Sequence, residues 1–423
     1  MQDLLLVYIP LSVIVMKSRG MDLEILLGFL FLLILSDSRQ PIFMFAINVK
    51  NIYVVLLALF FFMDSKNIAT KNRLFIAFLP FILFASICII YSPVAGTAAQ
   101  KTLSYFLVIL VAPNLLQKLL FDDHERIIKG LTFLFSIVLY AGLALKFLMP
   151  EFSTLEGRFT GLFGNPNGLG IYASITFAFF SIMVNRFPEH FNLFLKVLIY
   201  AGLMLSIWFC GSRNALVAVM LFILFRNIYG LSPYIGFLIF LLLVVSFTYI
   251  QNNLVPIIIG LGLEEYFRIE TLEGGSGRTI AWDFAWEQID KDPYIGKGFA
   301  YTEYIFKENY NYLSMLGHQG NAHNSYLTIW MDTGFIGLFF FAVAFIGQFI
   351  RASRGSVLAI PALYLVLFSG NFESWIAASL NPVTILVWMM LALMTFPKEE
   401  LARDEETEEE PEEESGNLVP AHV

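Results

Sequence analysis

Long uninterrupted apolar runs constrain this chain more than any other feature. They fall at residues 22–36, 51–63, 74–92, 104–119, 130–148, 167–184, 192–209, 213–228, 233–251, 326–349, 356–370 and 376–396, and a further run, 4–16, precedes them. Inside lipid every backbone N–H and C=O must be paired within the protein, so continuous runs of this kind cross a membrane as helices. Several are shorter than the ~20 residues a perpendicular helix needs, so their ends extend into the flanks. Only 14% of the residues are charged, against about 25% in soluble domains, which excludes an ordinary soluble enzyme and a disordered chain. The expected fold class is an all-α polytopic membrane protein of about 12 transmembrane helices, or 13 if segment 4–16 also crosses.

Lys and Arg set the orientation. The side holding 17–21, 64–73, 120–129, 185–196, 226–232, 350–355 and the C-terminal tail carries 15 of them, and the short loops of the other side carry 6. The richer side is expected to be cytoplasmic. Segment 4–16 is followed, not preceded, by positive charge and lacks a small-residue cleavage site, so it reads as uncleaved. The net charge of −8 belongs to the tail, 398–423, which has 11 acidic and 2 basic residues. Its DEETEEEPEEE stretch cannot bury enough surface to fold and reads as a solvated end. Cys88 and Cys210 both lie in apolar runs and read as small core residues.

These features divide the chain into N-terminal helices (1–251), a 74-residue outer segment (252–325), C-terminal helices (326–397) and the acidic tail (398–423). An outer segment of that length is expected to be functional or to carry structure of its own. Within it, 278–290 places Trp282, Trp286 and Ile289 on one helical face. That face either rests on the bilayer surface at headgroup depth or packs on the other helices.

Four motifs concentrate the polar chemistry on the outer side. In GRFTGLFGNPNGLG (157–170), Arg158 is the one charge, the glycines allow tight turns, and Asn167 could cap the helix that follows. The competing role for Arg158 is a re-entrant loop whose Arg reaches for headgroups. In CGSRNAL (210–216), Arg213 stands at a helix start, where unpaired N–H groups and the helix dipole already favour an anion. GGSGRT (274–279), with Arg278, offers a flexible anion cradle before the Trp helix, or merely a Gly-rich linker; the P-loop spacing is absent. GHQGNAHNSYL (317–327) supplies His318 and His323 just before an apolar helix, with His323-Asn324-Ser325 expected in its first turn. Histidine suits general-base work near neutral pH. An exposed polar turn and a metal site compete, but the five-residue spacing is not HExxH and no carboxylate cluster accompanies it. Three arginines and a histidine on one face would suit a diphosphate held beside a hydroxyl that must lose its proton.

Together GRFTGLFGNPNGLG, GSRNAL, SGRTIAWDFAWEQIDKDPYIGKGFA and HNSYLTIWMDTGFIG resemble the O-antigen ligase and polymerase superfamily of bacterial envelope glycosyltransferases, over residues 157–340. The resemblance implies a GT-C-like helical fold in the bacterial inner membrane, with a periplasmic active site. It implies an undecaprenyl-diphosphate-linked glycan donor and inverting transfer without metal or other cofactor. By motif position, Arg213 and Arg278 would bind and stabilise the diphosphate, with Arg158 beside them. His323 would be the base and His318 the second choice. The acceptor stays open between lipid A-core, a second lipid-linked glycan and a protein hydroxyl, the last making a protein O-oligosaccharyltransferase. Membrane lipids are expected partners and nucleic acid is not. A transporter or flippase for lipid-linked glycan is the alternative of another class, but it calls for polar groups through the spans, and the charges gather at the faces instead. A scaffold acting through the acidic tail would explain only the tail.

Overall fold

The computed structural model of the chain describes residues 2–64, 73–246, 256, 258–262, 277–318 and 320–397. The acidic tail and the Gly274-Gly275-Ser276 part of the third motif lie outside the described residues.

The described residues are almost wholly helical. The N-terminal part contains α1 (Gln2–Ser18), α2 (Asp22–Asp37), α3 (Phe45–Met63), α4 (Arg73–Cys88), α5 (Ala95–Leu148), the one-turn α6 (Pro150–Ser153), α7 (Pro166–Arg186), α8 (Leu193–Cys210), α9 (Arg213–Leu231) and α10 (Pro233–Val245). The outer segment contributes α11 (Arg278–Lys291), α12 (Tyr301–Glu308) and α13 (Tyr310–Met315), and the chain continues through α14 (Ser325–Ala352), α15 (Ala359–Gly370) and α16 (Pro382–Met394). Among the described residues, 7 helices are long and apolar enough to cross a membrane, and shorter apolar helices stand at Leu4–Ser18, Tyr234–Leu243, Ala359–Gly370 and Pro382–Met394.

Two apolar runs, 104–119 and 130–148, join in α5, which is broken at Asp123 (φ −165°, ψ 89°). The Asp123 carboxylate accepts from the Arg126 N–H at 2.8 Å and so caps the second half. The last apolar run starts later than its hydropathy suggests. Pro382 and the capping Asn381, whose side chain accepts from Val383 N, delay α16, and residues 371–381 form an irregular segment instead.

α16 is buried on every side, which places it at the centre of the bundle. Around its Trp388 the rings of Phe78, Tyr105 and Phe345 pack edge-on at 4.9–6.4 Å. At one end of the bundle, Lys118 bridges Asp22 and Asp64 at 3.1 Å each, and Arg126 meets Glu24 at 2.5 Å. At that end too, buried Arg186 donates to the carbonyls of Met394, Gly355 and Phe396.

The outer segment is seated in a break of α14. At Gly334 the backbone turns to φ 65°, and the freed N–H groups of Phe335 and Ile336 donate to the carbonyls of Pro293 and Tyr294 at 2.8 and 3.1 Å. A side chain at Gly334 would meet the Tyr294 backbone at 2.2 Å, so only glycine fits. One residue pair back, the buried Asp332 carboxylate accepts from Ala300 N, Thr302 N and Thr302 Oγ1 at 3.1, 2.8 and 2.7 Å.

α11 packs through Ala281, Phe284, Ala285 and Ile289 against Phe306, Leu313, Ala322, Leu327 and Met331. Of the two expected placements, it therefore takes packing on neighbouring helices, and its buried face is rotated from the expected Trp face. Trp286 stays 44% exposed with its ring edge-on to Trp330, while Trp282 donates from Nε1 to the Ala322 carbonyl at 3.1 Å.

Candidate active site

Five separate stretches of chain meet at the end of the bundle opposite the Lys118 cluster, and the Glu373 carboxylate lies at their centre. Glu373 Oε1 accepts from Arg278 Nη2 at 3.0 Å and from Asn167 Nδ2 at 3.1 Å; Oε2 faces His323 Nδ1 at 2.9 Å. Burial acts to raise the Glu373 carboxyl, but His323 and Arg278 outweigh it and hold the group below its ordinary value.

His323 owes its position to the turn before α14. Its φ of 45° is a left-handed geometry that a non-glycine side chain resists. The turn is held because Asn321 Oδ1 accepts from His323 N at 3.2 Å and Asn324 caps α14, accepting from Tyr326 N and Leu327 N. The helix therefore begins at Ser325, not at His323 as expected from the sequence. Asn324 and Ser325 also stitch this turn to the Glu373 segment. Asn324 N donates to Ser374 Oγ at 3.1 Å, and Ser325 Oγ donates to the Glu373 carbonyl at 2.6 Å. With Nδ1 committed to the carboxylate, Nε2 is the nitrogen left to accept a proton. Gly320 keeps that nitrogen uncrowded, since a Cβ there would lie 2.9 Å from it.

Arg158 is presented by a two-stranded hairpin, β1 (Thr154–Leu155) and β2 (Arg158–Phe159), closed by Glu156 and Gly157 at φ 51° and 74°. Its guanidinium donates to the carbonyls of Cys210 and Gly211 at 2.9 and 3.4 Å and to Asn167 Oδ1 at 3.0 Å. Asn167, expected as a cap for α7, instead relays Arg158 to Glu373; the cap is Asn165, whose Oδ1 accepts from Gly168 N at 2.7 Å.

Arg213 is the first residue of α9, behind the capping Ser212, at the turn that Arg158 holds. Its neighbour Asn214 reaches the Ser369 carbonyl of α15 at 3.4 Å, which joins this turn to the helix leading into the Glu373 segment. Arg158, Arg278 and His323 thus share one hydrogen-bonded network, and Arg213 borders it.

His318 is placed differently. It is 3% exposed, its Nε2 lies 3.1 Å from the Asn321 carbonyl, and its ring stands edge-on behind His323 at 5.8 Å. Burial first, and the neighbouring His323 second, lower its pKa, which favours the neutral ring.

A cavity of about 260 Å³ opens beside His323 and Glu373, with Asp37, Asn165, Thr302 and Ser374 among its walls. Asp37, isolated in the sequence, reaches this wall from the end of α2 and accepts from Gly164 N at 3.3 Å. Among the described residues no group of three or more His, Cys, Asp or Glu is arranged to hold a metal ion. Glu373 is the residue that the motifs miss. The available signal is that it is the lone charge between Arg354 and Lys398.

Residues 194–342 match the family model of the O-Antigen ligase. No curated protein matches the chain. The matched stretch runs from α8 into α14 and contains Arg213, Arg278 and His323, while Arg158 and Glu373 reach the same cluster from outside it. Residues 194–342 are accordingly a domain of the O-antigen ligase type, set in a multi-pass membrane protein.

Proposed function

We propose that this protein transfers a glycan from undecaprenyl diphosphate to an acceptor hydroxyl at the periplasmic face of the inner membrane, as an O-antigen ligase or polymerase. The matched domain supports a membrane glycosyltransferase of this general kind. The observation that carries the finer reading is the Glu373 carboxylate, held between His323 at 2.9 Å and Arg278 at 3.0 Å.

In this reading His323 Nε2 takes the proton of the acceptor hydroxyl as its oxygen attacks the anomeric carbon. The bond from that carbon to the diphosphate oxygen breaks, and the diphosphate leaves with the electron pair. Both Glu373 oxygens are engaged by neighbours, which suits Glu373 to orienting His323 and stabilising the imidazolium rather than to attacking the sugar. A single displacement with no enzyme-bound sugar inverts the anomeric centre. Arg213 and Arg278 stabilise the charge growing on the diphosphate, each worth roughly 3 kcal/mol in the transition state, and so take the place of a metal. Arg158 braces the turn on which Arg213 stands. The Lys118 cluster at the far end and the Lys and Arg bias of the loops support a cytoplasmic opposite face.

The experiment is purified protein in nanodiscs with an undecaprenyl-diphosphate glycan, offered lipid A-core, a second lipid-linked glycan and a Ser/Thr peptide in turn. A new glycosidic bond seen by mass spectrometry with one of the first two is expected. Lipid-linked glycan crossing the bilayer of sealed proteoliposomes carrying the same protein, with no bond formed, would overturn the reading in favour of a flippase.

A further inference from the structure

A second cavity, of about 350 Å³, adjoins the one beside His323, and the two share Asp37, Lys101, Ala378 and Asn381. Its walls come from α2, α3, α5 and the segment before α16, and they mix amides and hydroxyls, among them Asn51, Gln100 and Ser104, with two ammonium groups, Lys50 and Lys101. None of Arg158, Arg213 and Arg278 lines either cavity. The cationic groups near the site therefore fall into two sets, arginines outside both cavities and lysines lining the second one.

Lys50 is half-buried in the second turn of α3. Its Nζ donates to the Leu380 carbonyl at a long 3.4 Å, and among the described residues no carboxylate lies within 4.0 Å of it, Asp37 in the same cavity included. A cation on an apolar helix is costly unless an anion offsets it, and here the attraction of Asp37 acts only across more than 4.0 Å. Lys101, by contrast, pairs at 2.5 Å with Glu303, which is 57% exposed and free to turn away.

We infer that this second cavity is the acceptor subsite, and that it takes a sugar bearing an anionic substituent, a phosphate or carboxylate, held by Lys50 and Lys101. The inference rests on the reading of His323 as the base: an acceptor seated there would present its hydroxyl to His323 past the shared wall of Asp37, Lys101, Ala378 and Asn381. The amides and hydroxyls of the walls match sugar hydroxyls, and the lysines match the charge.

The test reads binding without turnover. Full-length protein in phosphatidylcholine nanodiscs is titrated with glucose 6-phosphate, glucuronic acid and glucose, followed by saturation-transfer NMR. Both anionic sugars should bind about tenfold more tightly than glucose. Lys50→Met should abolish that preference, Lys50→Arg should restore it, and Lys129→Met, an exposed control at the other end, should leave it unchanged. Equal binding of glucose and glucose 6-phosphate, or an undiminished preference in a folded Lys50→Met protein, would overturn the inference. So would displacement of the sugars by phosphatidylglycerol added to the nanodiscs, which would assign the lysines to a lipid headgroup. If the sugars bind as expected but no acceptor receives glycan, the transferase reading fails and the anionic subsite stands.

Discussion

Glu373 Oε2 lies 2.9 Å from His323 Nδ1, although the two residues are 50 positions apart in the chain. The contact fixes the histidine tautomer. A carboxylate only accepts, so the proton of a neutral imidazole sits on Nδ1 and Nε2 is left bare. Glu373→Gln removes the charge and offers an amide N–H that can hydrogen-bond to a bare Nδ1. The Nε2-protonated ring then competes, and the imidazolium loses its counter-ion. Turnover should fall about 100-fold or more, with KM for the lipid-linked donor changed far less. Steady-state kinetics in nanodiscs check this, and an unchanged kcat would remove Glu373 from the mechanism.

The two histidines should separate cleanly. His323→Ala is expected to lower kcat by about 10²–10⁴-fold. His318→Asn, in a buried position behind it, should cost turnover less than about tenfold and act mainly through stability. The reverse order would make His318 the base.

Arg278→Lys keeps the charge but loses the planar fork that can hold Glu373 and a diphosphate oxygen together. We expect kcat/KM for the donor to drop by about tenfold or more. A lysine variant with wild-type kcat/KM would show that charge alone suffices there.

Acid should weaken the cluster in a defined window. The Glu373 carboxyl has its pKa lowered from an ordinary 4.5, so the unfolded chain takes up its proton first as the pH falls. The stability this group contributes is fully present above pH 4.5 and is lost as the pH drops through the lower folded value. Compared with Glu373→Gln, which cannot titrate, the wild-type protein should lose its thermal-stability difference only below that point. A difference that narrows between pH 8 and 6 would contradict it.

Gly334→Ala places a methyl 2.2 Å from the Tyr294 backbone in a left-handed φ of 65°. It should destabilise the protein by more than ~2 kcal/mol. Gly347→Ala, in the same helix with open space around it, should be neutral or slightly stabilising. Thermal unfolding of the two variants side by side gives the answer.

Much of this architecture is legible in the sequence because lipid permits few solutions for an apolar run. Arg158, Arg278 and His323 are legible for the complementary reason, as polar groups in turns between the runs of an apolar chain. Glu373 is harder to see. It sits in a five-residue gap between two apolar runs, and neither its histidine nor its arginine is near in sequence. The Asn165–Asn167 ambiguity turns on backbone geometry. The residue before a proline is pushed to extended angles, here φ −152° and ψ 158°, which is the conformation a cap needs. The rotated face of α11 has a packing cause. Ala281 and Ala285 let the helix approach its neighbours closely, and the bulkier tryptophans are left at the flanks.

The break at Gly334 receives the outer segment through main-chain groups at both contacts. A seat built from peptide bonds is indifferent to most side chains laid over it. Loops on this face could therefore be exchanged while His323 keeps its place, as long as the glycine and Asp332 stay.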